Sequence, residues 1–172
     1  MLKHAVNYPN PNLQQIELDL NRTYPEEKDQ EKLKKLTGTL RNVLSAYVQR
    51  CPTIGYCQGW NSIAARLLLV MPEEEAFWTL CQIVETILPL DYYSNLLGVL
   101  IDLKVFQQMF REKLPRLQKH FDSCDFSCDL MLTKWLICLF VNHLQLEAEL
   151  AVWDLLFIKG VSVLFRVGIT LF

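Results

Sequence analysis

The sequence has no large excess of either charge: 17 Lys and Arg stand against 19 Asp and Glu, a formal net charge of −2 over 172 residues. Without a basic field there is no electrostatic footprint for nucleic acid or an anionic bilayer, so an anionic partner must be met by a few placed cations. Long apolar runs are also missing. The longest uncharged stretch, Cys51 to Ala65, is broken by Pro52, Gly55, Gln58, Gly59 and Asn61, and it falls short of the ~18 apolar residues of a membrane span. No membrane insertion is expected. The lead MLKHAVNYPNPN lacks the apolar core and cleavage site of a secretory signal, which makes a cytoplasmic setting the default expectation. Asn-Gly and Asp-Gly hairpin signals, alternating β-branched runs, fixed-period repeats and linker-like stretches are all absent, which argues against β-structure and against a divided chain. The cysteines at 51, 57, 81, 124, 128 and 138 lie mostly within apolar patterns, which reads as buried reduced thiols rather than a secreted disulfide framework. His4 and His143 support no catalytic triad, and neither a G-x-S-x-G elbow nor a Walker loop occurs, so no nucleotide site is expected.

What is present is a chain 51% hydrophobic and 11% aromatic, with a mean hydropathy of +0.14, long enough to bury one sizeable core. Prolines at 25, 52, 72, 89 and 115 divide it into lengths that suit helices. Leu33, Leu36, Leu40, Val43, Leu44, Tyr47 and Val48 form an apolar stripe of helical period. Phe77, Leu80, Cys81, Val84, Ile87 and Leu88 form another, with Pro72 at a first helical position and Glu73, Glu74 and Glu75 at the positive end of the helix dipole. Leu96, Val99, Leu100, Leu103, Phe106 and Phe110 make a third, and Leu146, Leu150, Trp153 and Phe157 a fourth. Leu130 to Val141 is apolar on nearly every side, as in a helix inside a bundle. The expected fold is all-α, multi-helical, with the helices sharing one core in a single domain. The ending VSVLFRVGITLF has no cap or polar tail, which reads as a cut.

Two segments carry polar residues that a core does not explain. In IELDLNRTYP, Ile16, Asp19 and Arg22 recur every three residues on a helix predicted to end before Pro25. Asp19 can steer the Arg22 guanidinium, although the same spacing also suits a plain surface ion pair. In CPTIGYCQGWNSIAA, Gly55 and Gly59 allow a tight passage that presents Gln58 at a loop-to-helix junction. An uncharged amide there can orient a water or a phosphate oxygen. The alternative is that Gln58 and Asn61 merely cap a helix starting near Trp60.

Taken together, the two segments resemble the TBC-domain family of GTPase-activating proteins for Rab small GTPases. Its pattern IxxDxxRTxP is matched by Ile16, Asp19, Arg22, Thr23 and Pro25, and its YxQG by Tyr56, Gln58 and Gly59. Further matches are the spacing of Ala46, Tyr47 and Pro52, the helix Trp135 to Phe140, and Val152, Trp153 and Asp154 leading to Gly160. The resemblance implies one all-α Rab-GAP TBC domain over 1–172, with a motif-bearing core at about 13–165. It also implies truncation at both ends, because an Arg/Trp motif expected before Ile16 and final helices expected after Gly160 are missing. Uncovered core stripes are an expected result. Trp60 departs from the methionine common after the glutamine-glycine pair, and Tyr24 varies within the first motif.

The activity implied is a dual-finger mechanism on a GTP-bound Rab. Arg22 stabilises charge on the transferring phosphoryl group, Gln58 positions the attacking water in trans, and Ile16, Asp19, Thr23, Tyr56, Gly59 and Asn61 support the fingers or meet the partner. Pro25, Trp153, Asp154 and Gly160 are structural. The chain would need no cofactor of its own, since the partner holds GTP and Mg²⁺, and that partner would recruit it peripherally to intracellular membranes in vesicle trafficking. A TBC-like adaptor that binds a Rab without stimulating hydrolysis is the alternative. His120, Cys124 and Cys128, with Cys138, have a loose ligand spacing but no C-x-x-C pair, so they read as an interhelical loop rather than a metal site. Cys57 reads as a packed thiol.

Overall fold

The computed structural model describes residues 11–25, 27–89 and 91–172. The lead that holds His4 and Pro9 lies outside the described residues. Among those described, the chain forms nine α-helices and no strand, in keeping with the all-α expectation. They fall into two compact units, the first ending at Ile83 and the second running from Val84 to Phe172.

The first unit contains α1 (Pro11–Leu20), α2 (Gln30–Arg50), α3 (Trp60–Val70) and α4 (Glu73–Gln82). α2 starts where the Asp29 carboxylate accepts from the backbone N–H groups of Glu31 and Lys32 at 3.0 and 3.2 Å, satisfying two donors that have no intrahelical partner. The predicted stripe is its inner face: Leu40, Val43, Leu44, Tyr47 and Val48 are buried, and toward the start of the helix Leu33 and Leu36 are half-buried. α2 packs on α1, α3 and α4, enclosing Ile16, Leu20, Trp60 and Ile63. Each such burial contributes roughly 1.5–3 kcal/mol against the entropy of ordering the chain. An exposed Arg41–Glu17 pair at 2.6 Å joins α2 to α1.

Pro72 sits one place earlier than expected, at the N-cap of α4, which still leaves Glu73, Glu74 and Glu75 in the first turn. Beyond Gln82 the backbone widens into a π-helical turn, Ile83–Ile87. Within α4 Leu80 and Cys81 are buried and Phe77 is half-exposed; the π turn holds more residues than an α turn and rotates the pattern that follows, with Val84 and Leu88 buried and Ile87 half-exposed.

The second unit contains α5 (Leu97–Lys113), α6 (Pro115–Ser123), α7 (Asp129–Cys138), α8 (Leu146–Lys159) and α9 (Ser162–Thr170). Here the structure corrects three stripes. In α5, Val99, Phe106 and Phe110 face inward, but Leu96 precedes the helix with a left-handed backbone and Leu100 is half-exposed. α7 buries Leu132, Trp135 and Leu136 yet exposes Leu130 by 72%, so it is not enclosed on every side. In α8 the inner face is Glu149, Val152, Trp153 and Leu156, which leaves Leu146 and Phe157 exposed. The cause is a buried acid: the Glu149 carboxylate accepts the Asn142 N–H at 3.4 Å and takes a place that apolar spacing alone cannot assign. Trp153 donates through Nε1 to the Leu139 carbonyl at 3.0 Å, beside the left-handed residues Leu139 and Phe140 that stop α7. Asp154 is exposed, and Gly160 ends α8.

Candidate functional site

α1 ends at Leu20, short of the predicted stop before Pro25, and tightens into a turn that carries the arginine. The Arg22 N–H donates to the Asp19 carbonyl at 3.1 Å and the Thr23 N–H to that of Leu20 at 3.3 Å. The Thr23 hydroxyl adds a 2.6 Å bond to the Asp19 carbonyl. The last helical carbonyls are thus satisfied without further helix, and Arg22 stands on a fixed turn with Pro25 exposed beyond it.

Asp19 is the centre of the site, with a side chain 0% exposed. Its Oδ1 accepts from Arg22 Nε at 3.1 Å, Arg22 Nη2 at 2.7 Å and Gln15 Nε2 at 3.0 Å. Its Oδ2 accepts the Tyr56 hydroxyl at 2.7 Å. A buried carboxylate is tolerable only when its lone pairs are met in this way. The Arg22 side chain is 56% exposed, so this is no ordinary surface pair: one partner is wholly buried and the other reaches outward.

The second loop runs from the end of α2 to the start of α3. Gly55 and Gly59 have φ of 72° and 110°, values that favour glycine over any residue with a Cβ. The Tyr56 N–H donates to Asn12 Oδ1 at 3.0 Å. Asn61, 6% exposed, accepts the Gly59 N–H at 3.2 Å through Oδ1, which also lies 3.3 Å from the Tyr56 hydroxyl. Its Nδ2 donates to the Thr23 hydroxyl at 2.9 Å. Gly59 is the N-cap of α3 and has no side chain of its own to cap with; the Asn61 side chain meets its N–H at the helix start, in line with the capping alternative for Asn61, while it also bonds Thr23 on the other loop. Gln58 is exposed.

Behind this loop, Trp60 is fully buried and meets Tyr47 and Tyr56 edge-on, at centroid distances of 5.0 and 6.1 Å. Burial first, then the bond to Asp19, raises the Tyr56 phenol above its ordinary pKa. Burial alone pushes Tyr24 up to about 12.

The structure therefore brings Asp19, Arg22, Thr23, Tyr56, Gly59 and Asn61 into one bonded set, with Ile16 buried in the same helix and Gln58 two residues beyond Tyr56. Trp153, Asp154 and Gly160 belong to the second unit. Sequence reasoning missed Gln15 and Asn12. Gln15 lies one helical turn before Asp19, a spacing that signals side-chain contact; Asn12 meets Tyr56 across 44 residues of sequence, which no local pattern reveals. Among the described residues no three His, Cys, Asp or Glu side chains are placed to hold a metal ion. His120 and Cys124 lie at the exposed end of α6, and Cys128 is at the N-cap of α7. Burial raises the Cys128 and Cys138 thiols, the direction of inert sulfur. Chemically, the first unit presents a planar cation and a neutral amide from two loops that share a buried carboxylate.

The fold is that of a known class. The family model for the Rab-GTPase-TBC domain matches residues 2–172, and the chain belongs to this family. It is 42% identical to TBC1 domain family member 2B of Xenopus tropicalis over 100% of this chain and 18% of that protein. It is 44% identical to human TBC1 domain family member 2A, over 94% of this chain and 18% of that protein. Human growth hormone-regulated TBC protein 1 is 43% identical, over 94% of this chain and 49% of its own length. The crystal structure of the Chlamydomonas flagellar RabGAP TBC domain aligns with a TM-score of 0.81 and 32% identity, covering 94% of this chain and 54% of that one. The chain thus spans only part of each of these relatives. No described helix is long and apolar enough to cross a membrane.

Proposed function

We propose that residues 1–172 act as a Rab-GAP TBC domain that accelerates GTP hydrolysis by a Rab-family small GTPase. A GTPase holds its own nucleotide and Mg²⁺ but leaves charge on the transferring phosphoryl group incompletely stabilised, and a partner arginine supplies the missing cation. Arg22 takes that role. Two of its five N–H donors engage Asp19, which leaves the others for phosphate oxygens. Gln58 positions the attacking water, because an amide accepts from water and donates to phosphate. The chain contributes no cofactor and no nucleotide site; GTP and Mg²⁺ come with the GTP-bound partner, which also draws the domain to the membrane that the partner occupies.

The observation that carries this reading is the Asp19 carboxylate. One oxygen holds the exposed Arg22 and the other holds Tyr56, two residues before the exposed Gln58. The two candidate fingers are thereby supported from a common point, as a reaction that needs both at once requires. Arginine fingers give roughly 10³- to 10⁵-fold in rate, about 4 to 7 kcal/mol of transition-state stabilisation.

Single-turnover GTP hydrolysis across a panel of Rab GTPases tests the proposal. Arg22→Ala and Arg22→Lys should each abolish most of the stimulation, and Gln58→Ala should be comparably severe. Undiminished stimulation by Arg22→Ala would overturn the arginine assignment. Binding without stimulation by the unmodified chain would favour an adaptor.

A further inference from the structure

The Arg22 and Gln58 loops are both fastened to α1, but at different places. Tyr56 runs along this helix. Its backbone N–H is held by Asn12 in the first turn, and its hydroxyl by Asp19 in the last. The seven-residue step from Asn12 to Asp19 is two helical turns, about 10 Å of rigid rod. A backbone N–H can only donate, so the Asn12 amide must present its oxygen to the loop. The fit is close: a Cβ on Gly55 would lie 2.9 Å from Asn12 Oδ1, so the residue before Tyr56 has to be glycine for the amide to reach the next N–H. The Asp19 bond fixes the tip of the Tyr56 ring and the edge-on contact with Trp60 its body, whereas the Asn12 bond holds the backbone N–H itself, where the chain turns toward Gln58.

We propose that Asn12 is a positioning residue for Gln58: its amide oxygen pins the backbone at Tyr56 and so sets where the Gln58 amide stands relative to Arg22. The inference rests on the GTPase-activating reading given above. In this reading Asn12 acts through the loop, by its bond to the Tyr56 N–H, and not on the reacting groups. A water-positioning amide displaced by about 1 Å loses on the order of 10²-fold in rate, because its contribution is realised in the transition state rather than on binding.

The test uses the full chain and a Rab GTPase that it stimulates. Asn12→Ala should lower the maximal rate of stimulated hydrolysis by about 10- to 100-fold while leaving the half-saturating concentration of the domain unchanged. Asn12→Asp, which keeps an oxygen at the same position, should restore most of the rate. Gly55→Ala, which pushes the amide aside from the opposite direction, should reproduce the loss. The decisive measurement is made in a Gln58→Ala background, where Asn12→Ala should cost nothing further, since the group that it positions is gone. A purely structural role would instead lower the rate equally in both backgrounds, and that result overturns the proposal. An unchanged rate in Asn12→Ala, with the unmodified chain active, overturns it as well and leaves the GTPase-activating reading standing. A chain that stimulates no Rab overturns the activating reading itself.

Discussion

Removing the Tyr56 hydroxyl isolates the bond on which the site depends. In Tyr56→Phe the ring can keep its edge-on contact with Trp60, while Asp19 Oδ2 loses its 2.7 Å donor in a position where the carboxylate is 0% exposed. A hydrogen bond to a charged group contributes about 1.5–3 kcal/mol, and an acceptor left buried adds its own desolvation cost. A loss of about 2 kcal/mol is expected at neutral pH, or about 4 to 8 °C in Tm at 2 to 4 °C per kcal/mol. The pH dependence supplies an independent check. The folded phenol has a raised pKa, because burial and the neighbouring Asp19 both disfavour its charged form. The unfolded chain therefore ionises first, and the stability due to this group is fully present below a pH of about 10 and is lost as the pH rises further. The difference between the unmodified chain and Tyr56→Phe should accordingly narrow above pH 10. Tyr24, whose folded pKa is about 12, remains in both proteins and cancels. Denaturant unfolding at neutral and alkaline pH measures both quantities. Equal stability at neutral pH, or a constant difference up the alkaline limb, would refute the claim that this bond is made and is charge-assisted.

Two further substitutions test the scaffold under the site. Gly38 lies inside α2 with nothing within 4 Å of the position that a Cβ would take, so Gly38→Ala should raise stability by about 0.5–1 kcal/mol through helix propensity and a less flexible unfolded chain; a drop in Tm would contradict the open space seen there. Asp29→Ala should cost about 1 kcal/mol, because the N–H groups of Glu31 and Lys32 lose their cap. Asp29→Ser should recover most of that loss in the same melting experiment, and equal losses for the two would argue that the cap is not the cause.

The helices of the first unit were legible because their information is local. An amphipathic stripe such as Leu40 to Val48 states both the helix and its buried face, and Asp19 and Arg22 are near neighbours wherever the chain turns. The second unit was less legible where burial is decided by something other than hydrophobicity. Glu149 is wholly buried in α8, so an apolar count assigns that helix the wrong face. α5 carries two apolar rows, and the one with Leu97, Ile101 and Val105 is exposed; sequence period cannot choose between them. At the site, the candidate fingers were singled out through motif resemblance, whereas Asn12 was not, because its partner is a backbone N–H and any residue type could stand opposite it.

In the proposed mechanism the position of Arg22 also says why a lysine would not serve there. The fixed turn after Leu20 puts the guanidinium beside a buried acid, where Nε and Nη2 both reach the same Asp19 oxygen. A guanidinium bonded along one edge keeps its other edge in the same plane, directed away from the acid and still charged. An ammonium has no second edge: bonded to Asp19, it would direct its remaining donors around a single nitrogen held close to the carboxylate, too short to meet an anion beyond. The buried carboxylate thus does two things that pull in opposite directions. It lessens the net positive charge that an incoming phosphate meets, and it removes the rotational freedom that a half-exposed arginine would otherwise lose on contact. The second effect wins where the gain must appear in the transition state, since orientation fixed beforehand costs nothing when charge moves. In the proposed mechanism Asp19 is therefore a hinge stop for Arg22, with Gln15 and Tyr56 holding the stop in place.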